Sequence, residues 1–429
     1  MSDLKGKKLL VLGGILSMIE VVKRAKELGI TVMVTDYLEN SPAKQFADES
    51  FLISATDVDA VVQLCRTEKI DGIITGNVDM LLPYYAEICE KADLPCYGQM
   101  SHFQIMTNKK EFKELCKKHC VPTIKEYTQE EIEKGNVRYP VLIKPVDSSG
   151  SRGITICRDN DELHMGIKKA LSFSASKQYI VEKYMNGQEA VLYYYFQHGN
   201  PVFMGMCDRY VVSLNKNVAQ LSTAYVFPSK YTEKHLKKTN SLIQNMFYSI
   251  AMENGTIFLQ AFIEDGYPIL YEPGYRLNGA REQYIFRETN GINAIDCLIS
   301  FALTGEMLPD NLELKSEPYL NGKCACMLSP AISVGTVANI EGVDLVRKHS
   351  AVKEFIYINK EGDTVKQEEE GTLRQIAYRA FLVEESWEKL KEAVDFVQNN
   401  VKYYDKTGKP MIVSFFDSQI LNSYEMGIL

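Results

Sequence analysis

The regular alternation of short apolar runs with helical segments in the first hundred residues most constrains what this chain can fold into. Three apolar runs alternate with three segments whose apolar residues recur at helical spacing: residues 8–12, 19–28, 31–35, 58–68, 72–75 and 81–91. Buried strands that alternate with helices form a parallel sheet with helices on both faces. The pattern therefore predicts a Rossmann-like α/β domain over residues 1–100.

A glycine pair, Gly13-Gly14, follows the first predicted strand and gives a weak indication of dinucleotide binding. The NAD-binding fingerprint GxGxxG is incomplete, because residues 13–18 lack its third glycine. Asp36 ends the second predicted strand, where an NAD-binding acid would stand, but any α/β sheet can place an acid there. An NAD-dependent oxidoreductase therefore stays a remote alternative, which cofactor binding to the first domain would reveal.

The composition is that of a soluble globular protein and excludes two kinds of partner. The 429 residues include 48 Lys and Arg against 56 Asp and Glu, so the formal net charge is −8. Binding to a nucleic-acid backbone needs a basic stripe that replaces released counterions, and the sequence has no basic cluster. No apolar run approaches the ~20 residues of a membrane helix, and the polar start is not typical of a signal peptide. We expect a cytoplasmic protein with reduced cysteines and with no nucleic-acid or membrane partner.

The stretch Val141–Pro145 and the loop after it carry the strongest indication of chemistry. Lys144 stands near the end of a predicted buried strand, where its charge is costly unless it meets an anion. The loop is rich in glycine and serine around Arg152, and its backbone N–H groups can bind phosphate oxygens. The two elements predict a hinged clamp over a polyphosphate. The alternative is a surface hairpin with an exposed lysine.

A second stretch, residues 181–189, is predicted to be a strand that leads into a linker. The backbone of such a linker can read the edge of adenine as a neighbouring strand would. Glu189 lies seven residues after Glu182, beyond a glycine turn, where its carboxylate can accept ribose hydroxyls. Taken alone, a charged strand end is also typical of a solvated surface.

The third stretch is a predicted hairpin around Asp265-Gly266. With a three-residue loop, Gln260 lies opposite Glu272 on the same face of the hairpin. Two oxygen-bearing side chains there can hold magnesium, which takes few protein ligands and shares phosphate oxygens. Arg276 then faces the phosphoryl group that is transferred.

Taken in order, these stretches resemble the ATP-grasp superfamily of carboxylate–amine ligases over about residues 1–310, in particular its L-amino acid ligase, carbamoyl-phosphate synthase-like and phosphoribosylglycinamide synthetase-like branch. The resemblance implies ATP and Mg²⁺ or Mn²⁺ as cofactors, small-molecule carboxylate and amine substrates, and a homodimer. It implies a combined α/β and α+β fold. The four parts are a Rossmann-like pre-ATP-grasp domain (1–100), an ATP-grasp N-terminal subdomain with a mobile lid (101–185), an ATP-grasp C-terminal subdomain with the metal hairpin (186–310) and a C-terminal α+β domain that closes over the substrate (311–429).

The resemblance also implies roles for single residues. It implies that Lys144 and Arg276 act in catalysis and that Glu272 and Gln260 bind the metal. The nucleotide-binding residues that it implies are Lys109, Lys144, Ser149, Gly150, Ser151, Gly153, Glu182, Lys183, Tyr184, Met185 and Glu189.

Three positions depart from the family pattern. Gln260 stands where the family usually has an acidic metal ligand, and Gly274 where it usually has an asparagine ligand. Asn108 replaces the acid that often precedes the first lysine. An amide oxygen brings no charge, so its attraction for magnesium is weaker than that of a carboxylate. The alternative to an active ligase is therefore an ATP-binding homologue with a lost or regulatory function.

Substrate contacts are expected in two further places. Asn77 and Asp79 follow a strand end of the first domain, where α/β sheets bind ligands. Arg281, just past the hairpin, is either a ligand of a substrate carboxylate or a surface helix residue. The last 110 residues, which include Arg379, loosely resemble the extra domain of these ligases. The favoured function is an ATP-dependent ligase that activates a carboxylate as an acyl phosphate and joins it to an amine, releasing ADP and phosphate.

Overall fold

The N-terminal part of the protein is a parallel sheet flanked by helices. The computed structural model describes residues 4–147, 153–213, 220–309 and 312–425. The first elements are β1 (Lys8–Leu12), α1 (Met18–Glu27), β2 (Thr31–Thr35), β3 (Glu49–Phe51), α2 (Val58–Glu68), β4 (Gly72–Thr75), α3 (Leu82–Ala92) and α4 (Met100–Thr107). The strands pair in the parallel order β3-β2-β1-β4, which confirms the predicted α/β fold of this part.

A small antiparallel sheet with its own core follows. Its elements are α5 (Lys109–Lys118), α6 (Gln129–Glu133), β5 (Val141–Pro145), β6 (Thr155–Cys157), α7 (Asn160–Phe173) and β7 (Tyr179–Lys183). The strand order is β6-β5-β7, and a separate cluster of buried apolar side chains lies between this sheet and α7. A body with its own core can shift as a unit relative to its neighbours.

The next part contains the start of a large antiparallel sheet. Its elements are β8 (Glu189–Gln197), β9 (Asn200–Val212), β10 (Leu221–Phe227), α8 (Thr232–Lys238), α9 (Asn240–Ser249), β11 (Gly255–Glu264), β12 (Tyr267–Gly274), α10 (Gln283–Asn290) and α11 (Ala294–Thr304). Strand β8 lies between β11 and β9 and is buried on both faces, which is why it carries apolar and aromatic residues at consecutive positions.

The C-terminal strands continue the same large sheet. The remaining elements are β13 (Cys324–Leu328), β14 (Gly335–Thr336), β15 (Asn339–Glu341), α12 (Val343–Arg347), β16 (Val352–Tyr357), β17 (Thr364–Val365), β18 (Tyr378–Glu384), α13 (Trp387–Asn400), β19 (Lys402–Tyr404) and α14 (Asn422–Glu425). The eight strands run in the order β12-β11-β8-β9-β10-β13-β18-β16. The sheet therefore crosses the boundary expected after residue 310, and the division into four domains stays a prediction. Across the described ranges, no helix is both long and apolar enough to span a bilayer.

Candidate functional site

The first predicted phosphate-binding lysine stands at the start of a capped helix. Asn108 is the N-cap of α5, and its side-chain oxygen accepts hydrogen bonds from the backbone N–H groups of Lys110 and Glu111 at 3.0 and 3.3 Å. Asparagine can therefore serve as the cap in place of the acid seen in the family pattern. The cap holds Lys109 in the first turn of α5.

Lys109 lies within electrostatic reach of the other predicted site residues. Burial lowers its pKa, and the carboxylate of Glu272 opposes this effect. Lys144 lowers the pKa further, while Glu182 and Asp79 raise it. Electrostatic effects on a pKa fall off with distance. The charged side chains from α5, β5, β7, β12 and the first domain that act on Lys109 therefore lie near one another.

Lys144 belongs to a buried group that we call the lysine cluster, made of Lys113, Lys144 and Glu182. In the register of β5 and β7, Leu142 pairs with Glu182, so Lys144 lies diagonally across the same face of the sheet. Lys144 Nζ lies 2.7 Å from Glu182 Oε2, and Lys113 Nζ donates to Glu182 Oε1. The lysine cluster is therefore a compact unit held by direct charge contacts.

The charges of the lysine cluster compensate one another out of water. The side chains of Lys113, Lys144 and Glu182 are only 1%, 8% and 2% exposed. Burial would raise the pKa of Glu182, but Lys144 and Lys113 together hold it below its usual range. Glu182 was predicted to contact adenine; its carboxylate contacts two lysines here, and its role toward a nucleotide stays a prediction.

The predicted nucleotide hinge contains further internal contacts. The backbone N–H of Tyr184 donates to the carbonyl of Pro140 at 3.1 Å, and Lys183 pairs with Glu264 on the surface. Met185 follows these residues along the wall of an open cleft. With the Tyr184 N–H engaged, adenine would have to be read by other backbone groups of this hinge.

Glu189, which was predicted to bind ribose, lies in a different charge group. Its carboxylate accepts a hydrogen bond from Arg209 and lies 3.3 Å from the hydroxyl of Tyr271. Arg209 also donates to the hydroxyl of Tyr225 at 3.2 Å. Sequence reasoning missed Arg209, because its partners Glu189 and Tyr225 lie on the two neighbouring strands β8 and β10.

The predicted metal pair lies on the β11–β12 hairpin. Gln260 and Glu272 are direct cross-strand partners, as expected, but the loop has two residues. Asp265 and Gly266 have φ angles of 54° and 84°, as in the type I′ turn that Asp-Gly favours. A bulge that leaves Tyr271 unpaired shifts the register by one residue and so restores the Gln260–Glu272 pair.

The donors on the hairpin fit a magnesium ion that takes most of its ligands from phosphates. Glu272 offers one carboxylate and Gln260 one amide oxygen, and magnesium binds through one or two carboxylates plus phosphates and water. Within the described ranges, no group of three His, Cys, Asp or Glu side chains is placed to hold a metal by itself. The two hairpin donors would leave most of the coordination positions of a magnesium ion to phosphate oxygens and water.

Gly274, the other departure from the family pattern, has a steric explanation. Gly274 pairs with Phe258 across the hairpin, and a Cβ at position 274 would lie 2.2 Å from the Phe258 ring. The guanidinium of Arg276 lies 5.1 Å from the centre of the same ring. Phe258 thus takes the space of a side chain at position 274 and supports Arg276.

Arg276 connects the hairpin to the first domain. Its Nε and Nη2 atoms lie 2.6 and 2.7 Å from the two carboxylate oxygens of Asp79, a two-point ion pair. The predicted substrate residue Asp79 and the predicted catalytic residue Arg276 are therefore direct partners. Asn77, from the same strand end, accepts a hydrogen bond from Ser17 at 2.8 Å.

Comparison with known proteins assigns the middle of the chain to a family. Residues 137–280 match the family described as "ATP-grasp domain", and residues 9–93 match "PylC-like, N-terminal domain". The chain contains an ATP-grasp domain. The predicted resemblance is thereby confirmed.

The curated relatives cover part of the chain. A formate-dependent phosphoribosylglycinamide formyltransferase of Prochlorococcus marinus is 27% identical over 190 residues, 42% of this chain and 48% of that protein. The 2-oxoglutarate carboxylase small subunit of Hydrogenobacter thermophilus is 24% identical over 239 residues, 50% of each. The chain spans about half the length of the curated relatives it matches.

Solved structures share the fold over nearly the whole chain. The L-amino acid ligase from Bacillus licheniformis superposes with a TM-score of 0.75 at 18% identity, covering 94% of this chain and 99% of that one. Phosphoribosylglycinamide synthetase from Anaerococcus prevotii has a TM-score of 0.74 at 19% identity, with 94% and 100% covered. The two structures therefore share the overall fold of nearly the whole chain.

Part of the predicted ATP-grasp lid lies outside the described residues. Ser149, Gly150, Ser151 and Arg152 belong to that segment. Gly153 follows it with a φ angle of 77°, and a Cβ there would lie 2.7 Å from the ring of Pro145. Glycine is required at this position both by the backbone conformation and by the close contact.

The residue that the NAD alternative depends on is engaged inside the first domain. The carboxylate of Asp36 accepts hydrogen bonds from the backbone N–H groups of Gly14 and Leu38 at 2.6 and 2.8 Å. Each carboxylate oxygen thus helps to shape the turn after β1. A role of Asp36 toward a ribose would have to use its remaining acceptor capacity, and NAD binding stays the remote alternative.

Proposed function

We propose that the protein is an ATP-dependent ligase that activates a carboxylate as an acyl phosphate and joins it to an amine, releasing ADP and phosphate. The observation that carries this proposal is the convergence of Lys109, Lys144 and Glu272 beside the Asp79–Arg276 pair. Cations near a carboxylate that can hold magnesium form a suitable environment for a transferring phosphoryl group. The name of the solved neighbour, an L-amino acid ligase, is in keeping with this function.

The residues of the chain would act by position and charge. Lys109 and Lys144 would neutralise phosphate oxygens, and Arg276 would stabilise the charge that develops on the acyl phosphate side. A magnesium ion on Glu272 and Gln260, bound with the nucleotide, would add Lewis-acid stabilisation of the phosphates. A lid over the site would exclude water, which otherwise hydrolyses an acyl phosphate. The amine acceptor needs no general base if it enters uncharged.

The nucleotide is proposed to lie between the small sheet and the β11–β12 hairpin. The hinge from Lys183 to Met185 would face the adenine and Glu189 the ribose. Glu189 is already paired with Arg209, so a ribose would have to use its remaining acceptor capacity. The assigned lid residues Ser149, Gly150, Ser151 and Gly153 would contact the phosphates through backbone N–H groups.

The test is ADP and phosphate release from Mg-ATP with pooled small carboxylates and amines, in the native protein and in Lys144→Ala. We expect a loss of at least about 30-fold in turnover, corresponding to about 2 kcal/mol for one preorganised charge contact. Glu182 keeps its contact with Lys113, so the variant should fold. Lys134→Ala is the matched control, because Lys134 is exposed and pairs with Glu130 on the surface. Equal turnover in Lys144→Ala and the control would contradict the proposal.

A second function is supported by the departures from the family's metal ligands, an uncharged amide at Gln260 and a glycine without a ligand side chain at position 274. A protein that binds Mg-ATP without turning it over would act as a regulatory homologue of the ligases. Titration calorimetry with Mg-ATP, beside the release assay, separates the two functions. Nucleotide binding without phosphate release from any pool supports the regulatory function, and release that needs both a carboxylate and an amine rules it out.

We also propose that the protein is a cytoplasmic homodimer that acts on small molecules. One of the structural neighbours, the biotin carboxylase domain of the Hydrogenobacter thermophilus 2-oxoglutarate carboxylase, is described as a dimer. Sedimentation equilibrium of the full chain would test the dimer, and a concentration-independent monomer mass would contradict it.

A further inference from the structure

A second buried group of cations lies between the first domain and the C-terminal strands. We call it the arginine cluster, made of Arg281, Arg379 and Glu20. Arg281 Nε lies 3.4 Å from Glu20 Oε2, and the other Glu20 oxygen accepts a hydrogen bond from Gln283 at 2.8 Å. Both carboxylate oxygens of Glu20 thus have partners, and neither of these partners is Arg379.

Arg379 enters this group from β18 with little compensation. Only 8% of the residue is exposed, and its Nη1 donates to the carbonyl of Gly279. Its Nε is buried and has no hydrogen-bond partner among the residues described. No carboxylate in the described ranges lies within ion-pair distance of it. Burial lowers the pKa of Arg379 to about 10, and the neighbouring charge of Arg281 lowers it in the same direction.

The nearby carboxyl of Glu282 does not supply the missing negative charge. Burial raises its pKa to about 8, and Glu20 acts in the same direction, so Glu282 is mainly neutral at pH 7. Its Oε2 has no hydrogen-bond partner among the described residues. Two buried guanidinium groups therefore face one ionised carboxylate, which pairs with Arg281, and this arrangement is costly unless an anion joins it.

The surroundings of the arginine cluster place it next to the proposed active site. A small cavity lies between α1 and the segment after the hairpin, lined by Ser17, Asn77, Asn278, Gly279 and Arg281. Arg281 has a φ angle of 67°, a strained conformation for this residue that turns the chain just after Arg276 and Asn278. The cluster has an ion-pair partner of its own, because Arg281 pairs with Glu20, whereas Arg276 pairs with Asp79.

We propose that the arginine cluster binds a carboxylate of a substrate, and that this carboxylate is a different one from the carboxylate that is activated. This inference rests on the proposed ligase function and specifies its substrate class. Two guanidinium groups can hold a carboxylate through paired hydrogen bonds, and their planar geometry matches a carboxylate. At least one substrate is then either an amino acid that attacks through its amine or a dicarboxylic acid that is activated at its other end.

The site is tested by thermal unfolding with acetate in place of chloride at constant ionic strength. We expect acetate to raise the unfolding temperature of the native protein by roughly 1–2 °C near saturation, because a ligand that binds only the folded state stabilises it. The shift should be smaller in Arg281→Met and in Arg379→Lys, the second of which keeps the positive charge. Arg374→Met is the control, because Arg374 is exposed and pairs with Glu369. This variant should respond to acetate like the native protein.

The outcomes separate this inference from the proposed function. An acetate response that is equal in the native protein and in both cluster variants would overturn the carboxylate site. A response to phosphate that exceeds the response to acetate, and is lost in the same variants, would also overturn it in favour of a phosphate-bearing substrate. An acetate response that needs the cluster, without any ATP turnover, would contradict the ligase and leave the site standing.

Turnover assays then identify which substrate supplies the carboxylate. Glycine is compared with glycinamide as the amine, and succinate with butyrate as the acid. Arg379→Lys should raise KM about tenfold or more for the substrate that bears the extra carboxylate, with KM for ATP unchanged. A variant that raises KM for ATP to the same degree would indicate a structural role of Arg379 and contradict the inference.

Discussion

The lysine cluster and the arginine cluster each bury two cations, but they differ in the carboxylates that face them. In the lysine cluster, Glu182 contacts Lys113 and Lys144 directly, and Glu126 lies 3.9 Å from Lys113. In the arginine cluster, Glu20 forms its ion pair with Arg281. Within the described ranges, Arg379 has no carboxylate within ion-pair distance.

This difference indicates how each region depends on a ligand. The lysine cluster is compensated by the chain itself, so the small sheet can fold around it before any nucleotide binds. The arginine cluster keeps an excess positive charge that only an external anion can compensate. A phosphate at Lys144 must therefore compete with Glu182, whereas an anion at Arg379 competes with no carboxylate.

The largest expected effect comes from removing the carboxylate that both lysines share. Glu182→Gln leaves Lys113 and Lys144 buried with little compensation, and breaking a buried ion pair from one side costs about 3–5 kcal/mol. We expect the free energy of unfolding to fall by about that amount in urea titrations followed by circular dichroism. A fall of less than about 1 kcal/mol would show that the lysines can reach water, and the contrast between the clusters would lose its basis.

Glu126→Gln is the matched control for this variant. It removes the same charge beside Lys113, but from a side chain that is 25% exposed and 3.9 Å away. We expect it to change the free energy of unfolding by about 1 kcal/mol or less. An effect as large as that of Glu182→Gln would mean that net charge, and not the buried contact, governs stability here.

The second prediction concerns the neutral carboxyl beside the arginine cluster. Burial raises the pKa of Glu282 from its ordinary value of 4.5 to about 8; Glu20 raises it further, while Asn278 and Arg379 oppose the shift. The folded protein therefore keeps a proton that the unfolded chain loses, so this stability is present below pH 4.5 and declines as the pH rises toward 8.

Glu282→Gln should remove that decline. We expect the native protein to lose stability on the order of 3 kcal/mol relative to the variant between pH 5 and pH 8, measured as unfolding free energies at matched ionic strength. Glu288→Gln on the same helix, α10, is the control, because Glu288 pairs with Arg287 near the surface. Parallel pH curves for the native protein and Glu282→Gln would mean that Glu282 is ionised, and the charge imbalance in the arginine cluster would disappear.

Sequence reasoning found the residues whose signal is local. The Gln260–Glu272 pair follows from one hairpin, and Lys144 stands out as a lysine at the end of a buried strand. Asp79 and Arg276 were each found from their strand ends, but their ion pair joins residues 197 positions apart. Such a pairing depends on how two domains pack, which periodicity and spacing do not encode.

The residues that were missed owe their roles to distant partners. Lys113 lies 69 positions from Glu182, and its only local signal is its place one turn after Lys109, beside the apolar face of α5. Phe258 looked like an ordinary strand residue until the register placed it against Gly274. Likewise, the resemblance implied a C-terminal α+β domain, but not the pairing of β13 with β10 that joins this part to the large sheet.

The smallest expected effect separates charge from geometry at the metal pair. Gln260→Glu adds a carboxylate opposite Glu272, and the attraction of one more unit charge about 4 Å from a cation is worth at least about 1 kcal/mol. We expect the Mg²⁺ concentration for half-maximal nucleotide binding to fall about tenfold, measured by calorimetry with ADP.

Gln63→Glu on α2, exposed and far from the hairpin, controls for net charge. Restoring asparagine at position 274 is not an equivalent test, because Phe258 fills that space. An unchanged Mg²⁺ dependence in Gln260→Glu would mean that the hairpin does not hold the metal. The compensated lysine cluster would then act on the nucleotide without a metal partner on β11 and β12.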